Sequence, residues 1–168
     1  MELLSITEIW KYLRWLPGFI LRRIFTKQRL ADLILVDVRA RHESVSVNLA
    51  KAPSFSIYLQ MINLSPFVVE LDRAEIDFFC AGVKVSSQYI RKAQYKPGEV
   101  AMLFVEGEVS EGKADQIARL REKNSSSIEI HCEFNCPLHN FTKQTGRLEG
   151  LHVRYINAAF REKDGEPA

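Results

Sequence analysis

The sequence has no Walker loop, no Gly-x-Gly-x-x-Gly, no Gly-x-Ser-x-Gly and no His-Glu-x-x-His, so no standard phosphate, dinucleotide, hydrolase or zincin signature announces an activity. Gly (8) and Pro (6) are sparse and 46% of the 168 residues are hydrophobic, which argues against wholesale disorder. Three cysteines cannot all pair within one chain, and no cleaved signal is read at the N-terminus. A reducing compartment is therefore expected. Long apolar runs are missing too. The longest uncharged run near the N-terminus, Trp15 to Leu21, has seven residues, against the roughly 20 that a helix needs to cross a bilayer.

What is present is an uneven charge. Residues 1 to 30 carry six basic side chains (Lys11, Arg14, Arg22, Arg23, Lys27, Arg29) against Glu2 and Glu8, a net +4, so the rest of the chain is −2. That asymmetry favours an N-terminal segment drawn to an anionic surface and speaks against nucleic acid as a partner. Ser5 and Glu8 fit a capping box, and Ile6, Ile9, Trp10, Leu13 and Leu16 recur at helical spacing behind it. Pro17-Gly18 interrupts this helix before a second apolar-basic run, Phe19 to Phe25. Trp, Tyr and basic residues together suit the headgroup boundary of a membrane. The expected lipid-contacting set is Leu3, Ile6, Ile9, Trp10, Lys11, Leu13, Arg14, Trp15, Leu16, Phe19, Ile20, Arg22 and Arg23. The competing reading is a helix that docks on its own domain or on a protein partner.

The rest of the chain alternates. Ser54 to Met61 places Phe55, Ile57, Leu59 and Met61 on one side and Ser54, Ser56, Tyr58 and Gln60 on the other, as in a strand with one buried face. Asn63, Ser65 and Pro66 break it. In the next strand the inward set is Phe67, Val69 and Leu71 before Asp72-Arg73, and Ala74, Ile76, Phe78 and Cys80 after it, which calls for a β-bulge. Further strands are expected at 32–41, 44–49, 83–85, 99–110, 127–136 and 148–160, with a Lys96-Pro97-Gly98 turn. One internal helix is expected at 113–123 and a loop at 137–146. The strand at 99–110 is apolar on both sides, with Val100, Met102 and Phe104 on one and Ala101, Leu103 and Val105 on the other. Either the alternation is imperfect, as in a central strand, which is the favoured reading, or its outer face, near Leu103, is covered by the N-terminal helix, the short internal helix or a partner.

These elements describe a mainly β chain, an immunoglobulin- or fibronectin-III-like antiparallel β-sandwich with an N-terminal amphipathic helix and one short internal helix. The expected division is a membrane-associating segment at 1–30, a sandwich at 31–160 and a polar, disordered tail at 161–168.

From Leu33 to Tyr155 the chain resembles the group-2 late embryogenesis abundant family, the water-stress and hypersensitive-response (WHy) domain. The residues that carry the resemblance are SFSIYLQM, NLSPF, VVELDRAEIDFF, AGVKV, KPGEV and SIEIHCEF. It departs at the break, where Asn63 is followed by Leu64 and Pro66 is displaced. The resemblance implies a sandwich without catalytic residues, often attached to a membrane by its N-terminus and associated with stress protection or binding.

His131, Cys132, Cys136 and His139 lie within nine residues and could ligate zinc, but the shared strand parity of Cys132, Phe134 and Cys136 favours buried apolar thiols. Glu70, Asp72, Glu75 and Asp77 alternate with apolar residues and read as a solvated strand face. The expectation is thus a non-enzymatic protein with no cofactor and no metal, peripheral at the cytoplasmic side of a membrane with anionic lipid as its partner. The alternatives are a soluble subunit with a protein partner and a lipid carrier.

Overall fold

The computed structural model describes residues 15–39, 44–122 and 125–162. Among these residues two short helices, α1 (Gly18–Ile24) and α2 (Lys27–Asp32), precede ten strands: β1 (Ile34–Val38), β2 (Val45–Asn48), β3 (Ser54–Asn63), β4 (Val69–Cys80), β5 (Val83–Tyr89), β6 (Ala93–Tyr95), β7 (Val100–Glu108), β8 (Ser126–Asn135), β9 (Asn140–Leu151) and β10 (Val153–Ile156). Helix α3 (Glu111–Leu120) lies between β7 and β8, and α4 (Ala159–Glu162) follows β10. The protein is a mainly β sandwich of two five-stranded sheets. In one, β3 is flanked by β7 on one side and by β1 and β2 end to end on the other, with β10 beyond β2; in the other, β4 is flanked by β5 and β6 on one side and by β8 and then β9 on the other. Pairing is antiparallel except between β2 and β10, which run parallel.

Alternation dictates the core. Phe55, Ile57, Leu59 and Met61 of β3 face Leu71, Ile76 and Phe78 of β4, all at most 1% exposed, and the Phe55 and Phe78 rings meet across the sheets at 5.5 Å. The register against β8 slips between Leu71 and Arg73, the bulge that the change of phase demanded. It keeps Val69 and Leu71 inward on one side and Ala74, Ile76, Phe78 and Cys80 inward on the other. Gly98 (φ +75°) closes the Lys96 to Glu99 turn, in which Glu99 N–H donates to the Lys96 carbonyl at 3.0 Å. Ala81 (φ +50°) and Gly82 (φ +81°) make the tight turn between β4 and β5.

Asn63 ends β3 as a buried hub. Its side-chain amide donates to the carbonyls of Phe67 (2.8 Å) and Tyr95 (3.0 Å), and its Oδ1 accepts from the backbone N–H (3.0 Å) and hydroxyl (2.7 Å) of Ser65. At 1% exposure, these bonds replace the water it has lost. Along one margin of the sandwich β5 and β7 close on each other: Ser87 Oγ donates to the Glu106 carbonyl at 3.0 Å, and a Cβ at Gly107 would sit 2.5 Å from the Phe55 ring.

Several expectations are corrected. The segment 137–146 is not a loop, because Asn140–Leu151 pairs with β8 along its length after a turn closed by Cys136 N–H to the His139 carbonyl (3.1 Å). The strand expected at 148–160 is divided instead between the end of β9, β10 and α4. The internal helix runs 111–120 rather than 113–123, burying Ala114 and Ile117 as its periodicity requires, and it is joined by α2 and α4. Strand β1 begins at Ile34 rather than at Asp32 because α2 takes Asp32, and positions 40 and 41 of the expected strand lie outside the described residues. Leu103 is 4% exposed and inward, so the outer face of β7 is formed by Val100, Met102 and Phe104. Arg161, assigned by composition to the polar tail, is clasped: its guanidinium donates to the Leu49 (2.9 Å) and Ala50 (3.0 Å) carbonyls and pairs with Asp115 (2.6 Å) and Glu111 (2.5 Å).

Candidate membrane-facing site

The expected lipid-contacting residues Leu3, Ile6, Ile9, Trp10, Lys11, Leu13 and Arg14 lie outside the described residues. The described part of the set begins at Trp15. Pro17 caps α1 without needing an N–H there, and its carbonyl accepts from Ile20 (3.0 Å) and Leu21 (3.2 Å). Leu21 and Phe25, one helical turn apart, are 8% and 6% exposed and belong to the core, with the Phe25 ring edge-on to Phe67 at 5.1 Å. Thr26 then caps α2, its hydroxyl accepting from Arg29 N–H at 3.4 Å, and Leu30 is fully buried. The Arg29 guanidinium donates to the Ile24 carbonyl at 2.8 Å, tying the two helices together. A ring nitrogen of His139 lies 3.4 Å from the Arg22 carbonyl and links α1 to the turn between β8 and β9.

With one side of α1 anchored, the other is turned outward. Trp15 is 91% exposed and Phe19 74% exposed, and Arg22 and Arg23, three and four residues beyond Phe19, are exposed with them. Leu16 and Ile20 are half-buried, and Leu16 packs against the core. The structure therefore brings Trp15, Phe19, Arg22 and Arg23 to one exposed segment, and it withdraws Leu16 and Ile20 from full exposure. Among the described residues no helix is long and apolar enough to cross a membrane.

The other sequence candidates do not converge. Strand alternation puts Cys132 (1% exposed) inward and His131 on the opposite face, while His139 is turned to Arg22, and among the described residues no group of three or more metal-ligating side chains forms. Burial pushes the Cys132 thiol up to about 12. It pushes Cys80 up to about 11, even though hydrogen bonding with Tyr155 and Ser126 acts the other way. Of the β4 acids, Asp72 pairs with Lys92 (2.9 Å) and Asp77 with Lys84 (2.9 Å) on the outer face. The space between the sheets is filled by Phe55, Phe78 and Phe134, each at most 1% exposed.

Two features escaped sequence reasoning. One is the outward direction of the Val100, Met102 and Phe104 side of β7, since either side of that strand was apolar enough to be buried. The other is a groove of about 380 Å³ where Leu35, Val36 and Ile62 meet Lys143 to Thr145 and Leu148. Reading 137–146 as a loop hid it.

No protein-family model and no curated protein matches the sequence. Solved structures with a related arrangement include a structural-genomics target (12% identity, 73% of this chain and 89% of that one, TM-score 0.49) and a solution structure of a candidate late embryogenesis abundant (LEA) protein (11% identity, 93% of each chain, TM-score 0.47). A protein from Archaeoglobus fulgidus is similar at 9% identity over 70% of this chain and 94% of that one, with a TM-score of 0.36. Identities and scores this low carry no functional assignment.

Proposed function

We propose that this is a non-enzymatic β-sandwich held peripherally at the cytoplasmic side of a membrane, where its N-terminal segment engages anionic lipid. The observation that carries the reading is the exposure of Trp15 and Phe19 beside Arg22 and Arg23, on a helix whose opposite side is fixed in the core by Leu21 and Phe25. Two large aromatics exposed beside basic side chains form a patch that a partner surface can cover. At a headgroup boundary their rings become buried while the guanidinium groups stay among phosphates. The anionic lipid of the cytoplasmic leaflet would contribute about 1 kcal/mol per basic residue near the surface. The sandwich would then act as a binding or protective module.

Removing residues 1 to 30 would strip Leu21, Phe25 and Leu30 from the core, so the test uses substitutions on the exposed side only. Full-length protein is floated with vesicles of phosphatidylcholine and phosphatidylserine. Trp15→Glu with Phe19→Glu should abolish flotation with the unfolding midpoint unchanged. Arg22→Gln with Arg23→Gln should weaken it by about 30-fold, the equivalent of two basic contacts. Undiminished flotation of the Trp15/Phe19 variant would remove the basis of the reading.

A further inference from the structure

The sandwich is closed along the margin where β5 meets β7, but the margin where β1 faces β9 opens into the groove of about 380 Å³. Backbone parity shows what lines it. Arg39 N–H donates to the Tyr58 carbonyl (3.2 Å) and Leu64 N–H to the Leu33 carbonyl (2.9 Å), in register with the pairing of Ile34 to Asn63 and Val38 to Leu59. Odd-numbered residues of this strand therefore bond to β3, and the N–H and C=O groups of Ile34, Val36 and Val38 point the other way. Val38 N–H is satisfied by Asp37 Oδ1 at 2.8 Å. Val36, which lines the groove, keeps a donor and an acceptor directed into it. The lane beside β2 is filled by β10, and β1 continues β2 along β3, so the lane beside β1 is where a further strand would lie.

Three features specify the occupant. The unpaired edge of Val36 matches the alternating donor and acceptor of an extended backbone. Leu35, Ile62 and Leu148 offer an apolar seat for one side chain. Lys143, half-buried on the face of β9 that it shares with inward Phe141, has no ion-pair partner among the described residues, and Asp37, the acid that also lines the groove, is engaged by Val38 N–H, so Lys143 is left to meet a carboxylate of the occupant. We propose that this groove is a strand-addition site for an extended peptide segment that carries an acidic residue. The assignment is independent of the membrane reading, because none of these residues belongs to the Trp15 to Arg23 segment.

The test uses full-length isotope-labelled protein and the capped peptide acetyl-Val-Asp-Val-Thr-Val-amide. It is compared with its analogue N-methylated at alternate amides and with the version in which Asn replaces Asp. Amide resonances of Leu35 to Val38 and Lys143 to Thr145 should shift on addition of the parent peptide. N-methylation, Lys143→Gln in the protein and Asn in the peptide should each weaken binding by about tenfold, the equivalent of one charge-assisted or edge hydrogen bond. Val36→Pro removes the groove-facing N–H without touching the ladder to β3 and should do the same. Equal binding of the N-methylated peptide, shifts centred elsewhere or no shift at millimolar peptide would each overturn the proposal. Saturation of the same resonances by oleate, with none by peptide, would also overturn it by assigning the groove to a fatty acid.

Discussion

The two outer faces of the sandwich flank one shared core, yet one is covered with ion pairs and the other carries an apolar patch. On the outer face of the β4 sheet, Lys84 pairs with Asp77, Arg73 with Glu133 (2.7 Å) and Lys92 with Asp72. Even its outward ring, Phe79, lies beneath cations, with the Arg147 guanidinium 4.9 Å and the Lys84 ammonium 5.8 Å from the ring centre. On the outer face of the β3 sheet, Tyr58 (47% exposed) stacks at a tilt on Phe104 (46%) at 4.9 Å, and Met102, Val100 and Leu35 remain exposed around them. The difference teaches that this fold tolerates either surface, because what holds it is the layer between the sheets. The apolar face is then a matter of what meets it rather than of folding.

That contrast can be broken from the inside. Phe55→Ala, which removes the ring locked against Phe78 and beneath Gly107, should cost about 3 to 5 kcal/mol in denaturant titration. A loss below about 1 kcal/mol would show that the sheets are not locked through this ring. Asn63→Ala leaves the Phe67 and Tyr95 carbonyls without their side-chain donor in a buried setting. The expected loss is about 3 kcal/mol by the same measurement.

The surface changes should be smaller. Tyr58→Ser with Phe104→Ser should lower stability by only about 1 kcal/mol, the scale of one exposed aromatic pair, while reducing self-association at high concentration. A core-sized loss would mean that this face is structural after all. On the charged face, partial burial raises the Asp77 carboxyl, but hydrogen bonds from Lys84 and Ser86 outweigh it and hold the group below its ordinary value. Its folded value is thus depressed, so its contribution is present above about pH 4 and is lost as the pH falls through the folded value. Asp77→Asn should therefore slightly lower stability above about pH 4 and leave stability at the acid end nearly unchanged, so that the acid limb flattens, as thermal melts across that range would read.

Much of the fold was legible because strand periodicity is local. The alternation of Ser54 to Met61 named the inward residues of β3, and the change of phase around Asp72-Arg73 located a bulge that appears at Leu71/Arg73. The segment 137–146 was misread for a related reason. In β9, Thr142, Lys143 and Gln144 are polar on both faces because the strand lies at an edge, with Lys143 inward at an open margin. An edge strand of that kind has no one-sided apolar signal to read. Of the candidate site, Trp15, Phe19, Arg22 and Arg23 could be named from composition and spacing alone. That Leu21 and Phe25 would anchor the segment, leaving those four outward, depends on Phe67 and the β8–β9 turn, which are distant in sequence.

The sequence by itself determined the class of fold, the inward set of β3, β4 and β8, the bulge and the basic N-terminal segment, since each follows from residues a few positions apart. Only the tertiary structure decided which side of β7 meets water, which margin of the sandwich stays open and what Asn63 bonds. Those outcomes depend on which strands become neighbours, and neighbour choice is set by packing across the whole core rather than by the pattern within any one strand.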